Sequence, residues 1–149
     1  MQSFEAQVTD WVRETKARTR AVFLDSTQTL FFDVTKTRGE GGNMRVDTGF
    51  LRSSAEVTLN NPVLRQEPNP DDSAVYAFDS GPIALTIAGA DAGDTIFMTF
   101  TANYARAREY GARGQAPDAF VAANVARWQD IVTASALKIQ RSVEARAAR

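Results

Sequence analysis

Cysteine and histidine are both absent from this chain of 149 residues. Their absence removes thiol nucleophiles, zinc sites of the Cys/His kind, Ser–His triads and imidazole general bases. Any catalysis would rest on carboxylates, Lys, Tyr or Arg. No apolar run is long enough to span a bilayer, and Met1–Asp10 lacks the basic-then-apolar order of a signal segment. The protein is therefore expected to stay where it is made, or to travel with its assembly. No glycine or proline occurs from Ser3 to Lys36, and no Lys or Arg from residue 66 to residue 103.

The remaining composition, 44% hydrophobic with 23% charged, is that of an ordinary globular protein, and the length predicts one domain over 1–149. Net charge is −1 but unevenly spread. Glu67, Asp71, Asp72, Asp79, Asp91 and Asp94 make residues 66–103 wholly acidic, whereas Lys and Arg outnumber acids in residues 104–149. A near-neutral total argues against a general nucleic-acid binder, and segregated charge favours self-association or a charged inner wall. Gly39–Gly42 is not followed by the Lys-Ser/Thr of a phosphate-cradling loop.

From Ser3 to Lys36 apolar residues fall at three- and four-residue steps (Phe4, Val8, Trp11, Val12, Val22, Leu30), predicting a helix about 50 Å long. That length exceeds the width of a compact domain of this size. Either part of the helix packs on another subunit, or its own chain wraps it, or it breaks near Asp25–Ser26. Gly39–Asn43 reads as a flexible linker and Ala55–Leu59 as a strand. Asn60–Pro82 is a Pro-rich loop, predicted to be an exposed arm that touches a neighbour, with Val75–Phe78 a short strand or part of the arm. Ile83–Ile87 and Thr95–Thr101 alternate and predict an antiparallel hairpin about the turn Gly89–Asp94. Tyr104–Tyr110 reads as a short helix closed by Gly111. Pro117 and Asp118 fit the first turn of a C-terminal helix whose seam (Val121, Val125, Trp128, Val132, Ile139) has nearly coiled-coil spacing. Trp11 and Trp128 are predicted to anchor the meeting of the two long helices. The fold class is thus α+β: a small antiparallel sheet of three or four strands flanked by long terminal helices.

Two segments carry more than this. In Arg45-Val46-Asp47-Thr48-Gly49-Phe50-Leu51-Arg52, Asp47 and Thr48 can cap or turn the backbone, Gly49 can take angles denied to other residues, and Arg52 offers a planar cation. Downstream lies Tyr104-Ala105-Arg106-Ala107-Arg108-Glu109-Tyr110-Gly111. The motif residues are Val46, Asp47, Thr48, Gly49, Leu51, Arg52, Tyr104, Glu109, Tyr110 and Gly111. Their order, after a long N-terminal helix and before "PDAF", resembles the small neck and tail-completion proteins of long-tailed bacteriophages. The resemblance runs from about Trp11 to Val143. Arg45 stands where a proline often precedes the valine, and Asn60–Pro82 is longer than the pattern.

An enzyme would need a convergent pair such as Asp47 with Glu109, helped by Tyr104 or Tyr110. Ordinary structure explains both acids, and Glu109 is expected to pair with Arg52 or Arg106. The resemblance implies a non-enzymatic virion protein without cofactor or metal, made in the host cytoplasm. It would form a homo-oligomeric ring, six-fold in preference, between the portal side and the tail tube. Its partners would be its own copies, neighbouring adaptor or stopper proteins and the tube protein, with DNA only as passing cargo and no membrane. Asp71, Asp72, Asp79, Asp91 and Asp94 are the candidate channel lining. The alternative is a monomeric or dimeric module that binds a partner through the 60–82 arm.

Overall fold

The computed structural model describes residues 3–68, 70 and 73–148. Helix α1, Phe4–Thr35, is a single run of 32 residues, unbroken through Asp25–Ser26. Ser3 starts it, its hydroxyl accepting from the Ala6 N–H at 3.2 Å. The last helix, α6 (Trp128–Ala147), runs antiparallel to it. Arg127 reaches Asp33 while Lys138 reaches Asp25, so rising numbers on α6 meet falling numbers on α1. Ser26 on α1 and Ser135 on α6 are both buried. Trp11, 67% exposed, does not anchor the crossing, whereas Trp128, 38% exposed, borders the α1 residues Phe23 and Ser26 where the two helices meet.

Between these helices the chain forms a 3₁₀ turn (Arg38–Glu40), α2 (Phe50–Ser53), β1 (Ala55–Leu59), α3 (Gly81–Ala88), β2 (Ile96–Phe100), α4 (Ala105–Tyr110) and α5 (Ala122–Val125). The strand predicted at Ala55–Leu59 is present, as is most of the one at Thr95–Thr101. They pair with each other, antiparallel, from Ala55↔Phe100 to Leu59↔Ile96. Among the described residues the sheet has two strands rather than three or four.

The missing strand is Ile83–Ile87, which is helical in α3. Asp79 Oδ1 accepts from the Gly81 N–H at 2.8 Å, and Pro82 sits in the first turn where its missing N–H costs nothing. Ile83 and Ile87 are buried one turn apart, while Leu85 is 77% exposed. A short apolar run fits either period, and packing chose the four-residue one. The predicted hairpin about Gly89–Asp94 is therefore a helix-to-strand connection.

Two apolar clusters hold the body together. One gathers Val34, Met44, Phe50, Leu51, Ala102 and Phe120; the other gathers Phe31, Ile83 and Ile87, with Leu30 and Met98 against both. Both rest on the C-terminal half of α1. The C-terminal helix does not begin at Pro117. Residues 117–121 are irregular because Asp118 is drawn inward to Arg45 and Phe120 enters the core, its ring edge-on to Phe100 at 5.1 Å. Ala119 turns there with φ 49°.

The 60–82 loop lies on its own chain at several described points. Glu67 bridges beside β2, donating to Thr101 O at 2.7 Å and accepting from Asn103 N at 2.9 Å. Tyr76 donates its N–H to Thr48 O at 2.8 Å, and Phe78 lies 4.5 Å beneath the Arg52 guanidinium. Val75–Phe78 is not a strand. The arm predicted to reach a neighbour is thus largely docked, with Leu64 and Val75 left exposed.

Because Gly81–Ala88 is a helix, Leu85→Glu leaves unfolding free energy within about 0.5 kcal/mol of wild type. Ile87→Ala costs about 2–5 kcal/mol. Urea denaturation separates the two; a strand, with both residues on one face, would penalise them alike.

Candidate functional site

The two motifs meet. Val46, Asp47, Thr48, Gly49, Leu51 and Arg52 from the first, with Tyr104 from the second, wall a single cleft of about 880 Å³ shared with Arg45, Arg108 and Arg113. Glycine is required at position 49: φ is +87°, and a Cβ would meet Tyr76 O at 2.3 Å. The docked arm therefore depends on that residue. Thr48 Oγ1 accepts from the Phe50 N–H at 3.4 Å, a long bond that begins α2. Val46 and Asp47 are exposed at the cleft mouth, and Leu51 is in the core.

The second motif divides its work. Tyr104 packs its ring 6.2 Å from Phe50, joining the motifs through an aromatic contact. Tyr110 is exposed beneath the Arg106 guanidinium at 5.7 Å. Gly111 ends α4 with φ +81°, and a Cβ there would meet Gln115 O at 2.7 Å.

Glu109 pairs with neither Arg52 nor Arg106. It is buried, and its two oxygens accept from the N–H groups of Val121 at 2.9 Å and Ala122 at 2.8 Å. It thus supplies the acceptors that the start of α5 lacks locally. Arg52 bonds instead to both oxygens of Glu40, at 2.8 and 3.1 Å. Glu40 also closes a capping box, accepting from Thr37 N at 2.9 Å while Thr37 Oγ1 accepts from Glu40 N. The Thr37 N–H foremost holds the Glu40 carboxyl below its ordinary 4.5; burial, the next largest effect, opposes it, and the Arg52 charge adds to the lowering. The pattern Thr37-x-x-Glu40 is a readable capping signature that the Gly-rich linker beside it disguised.

Behind the cleft, the Asp118 side chain is fully buried. It accepts from Arg45 Nε and, at 3.3 Å, from Arg38, and Arg45 also donates to Ala116 O at 2.6 Å. Arg45, which departs from the resemblance pattern, is thus the clamp between the first motif and the irregular turn before α5. No local sequence signal marks this pair, because its members lie far apart in the chain.

Chemically, Arg45, Arg52 and Arg108 of the cleft are already engaged by Asp118, Glu40 and Gln115. Asp47 lines it, whereas Glu109 faces α5, so the carboxylate pair available in the sequence is not brought together. Among the described residues no three acids gather at a metal-holding distance, and no helix is long and apolar enough to cross a membrane. Of the candidate lining acids, Asp71 and Asp72 lie outside the described residues. Asp79 precedes α3 and the Asp91–Asp94 turn follows it. Asp91 meets Arg20 at 3.2 Å, and Asp94 accepts from Asn60 at 2.9 Å and from the Asp91 N–H at 2.7 Å. Those two bonds, Asn60 foremost, hold the Asp94 carboxyl below its ordinary 3.8. Compared with protein-family models, curated proteins and solved structures, the chain finds no match in any of the three.

Arg45→Ala leaves Asp118 buried with a single exposed cation and costs about 3 kcal/mol. Glu109→Ala orphans two N–H groups and costs about 2 kcal/mol. A double-mutant cycle joining Arg52 and Glu109 returns no coupling beyond about 0.5 kcal/mol, whereas Arg52 with Glu40 couples measurably. Because the folded-state pKa of Glu40 is depressed, its contribution is complete above pH 4.5 and fades as pH falls through the lower folded value. The stability gap between wild type and Glu40→Gln in urea therefore narrows on acidification; a gap that widens contradicts the assignment.

Proposed function

We propose that this protein is a structural subunit of the neck of a long-tailed phage, repeated in a closed homo-oligomeric ring between the head and the tail tube. One face docks a head-side ring, the other the end of the tube, around a channel open to DNA. The motif resemblance supplies this reading. The observation that carries it is the bare N-terminal half of α1. There Phe4, Val8, Trp11 and Val12 form an exposed apolar stripe on a rod about 48 Å long. Isolated apolar residues are commonplace at a surface, but an ordered stripe holding an indole and a phenyl ring marks an assembly face. Rings of this type are head-to-tail contacts that close by rotation, and six-fold symmetry matches the tail.

A smaller binding module is the second reading. It is favoured by Leu64 and Val75, which stand exposed on the 60–82 loop. Labelled-antibody microscopy and mass spectrometry of purified phage particles decide between the two. The ring reading predicts the polypeptide at the head–tail junction in several copies per particle. Particles devoid of it would refute that reading.

A further inference from the structure

An apolar groove of about 520 Å³ runs between α1 and α6, lined by Val22, Phe23, Trp128, Val132, Ala136 and Ile139. We propose that this groove receives the N-terminal stripe of α1 from a second copy of the chain, an assignment that rests on the ring reading above.

Three observations select that occupant. First, stripe and groove cannot meet within one chain. Both lie on α1, which is one uninterrupted helix, and Phe4 and Val22 are held about 27 Å apart along its axis. A rigid rod cannot fold back on itself, so Phe4, which is 81% exposed, can be covered only by another molecule. Second, the dimensions agree. The stripe from Phe4 to Val12 is about 12 Å long, and the groove face from Trp128 to Ile139 about 16 Å. A helix laid in an apolar groove with anchors at these spacings is a recurrent mode of recognition. Third, charge is complementary. Glu5 flanks the stripe, while Arg18, which bonds Glu14 on its own helix, stands on the groove rim and Arg146 lies two turns beyond Ile139 on the same face of α6. Because stripe and groove are different surfaces, each copy has one of each to offer. Such contacts propagate head to tail and close when the rotation between copies allows.

The cysteine-free sequence gives a clean test. One tagged copy carries Val8→Cys and a differently tagged copy Ala136→Cys; the two are mixed, allowed to exchange and mildly oxidised. The expected result is a disulfide joining the two tags, mapped by peptide mass spectrometry. In parallel, Ala136→Lys and the double variant Phe4→Ser/Trp11→Ser are expected to weaken self-association at least tenfold in sedimentation. Both should keep the wild-type circular dichroism and Tm, because these side chains are exposed. Oligomers that form without the link, and are indifferent to Ala136→Lys, overturn the groove assignment and leave the ring standing. A linked species that closes at two copies upholds the groove and overturns the ring. Monomers at every concentration, and in particles no repeated copies, overturn both.

Discussion

The unbroken stiffness of α1 is the constraint on which the rest of the molecule depends. A helix of 32 residues without glycine or proline cannot bend to suit a body much shorter than itself. Both apolar clusters therefore gather on its C-terminal half, around Leu30, Phe31 and Val34. The other half projects with its apolar residues bare. Compactness at one end and exposure at the other follow from the same absence of breakers. The proposed function starts from that asymmetry: the chain is a folded body with a rod attached.

The body itself is joined by polar side chains that substitute for regular structure. A two-stranded ribbon is marginal by itself, and here α3 covers it on one side while three acids tie down the irregular chain around it. Glu40 holds Arg52 and the turn after α1, Asp118 holds Arg45 and the turn before α5, and Glu109 caps α5 directly. Each acid satisfies N–H or guanidinium groups that would otherwise be left partly buried and unpaired, which costs more than the bond itself contributes. The cleft between the motifs is the space these clamps leave open, and most of the arginines around it already have partners.

What could be read in the sequence was whatever is local and periodic. The long first helix, the strand Ala55–Leu59, the helix ending at Gly111 and the need for glycine at 49 all follow from neighbouring residues. Ile83–Ile87 differs from the expected strand because a short, mostly apolar run satisfies a period of two and a period of four equally; Asp79 and Pro82 at its start are the discriminating signal. The C-terminal helix begins later than Pro117-Asp118 suggests, because that pair has the form of a helix start while Asp118 is bonded to the distant Arg45. Of the two tryptophans expected where the long helices meet, Trp128 borders α1 there and Trp11 stands exposed on the projecting half. Long-range pairs such as Arg45–Asp118 and Glu109 with the α5 N–H groups have no sequence periodicity, so only the fold reveals them.

The central claim is that the N-terminal half of α1 is a preformed rod whose apolar stripe is covered by another copy. Amide hydrogen exchange followed against protein concentration tests it most directly. The account predicts that protection of residues 4–15 and of residues 128–139 rises together as the protein associates, while the β1–β2 ribbon stays unchanged. Association without any gain of protection in those two segments would contradict it.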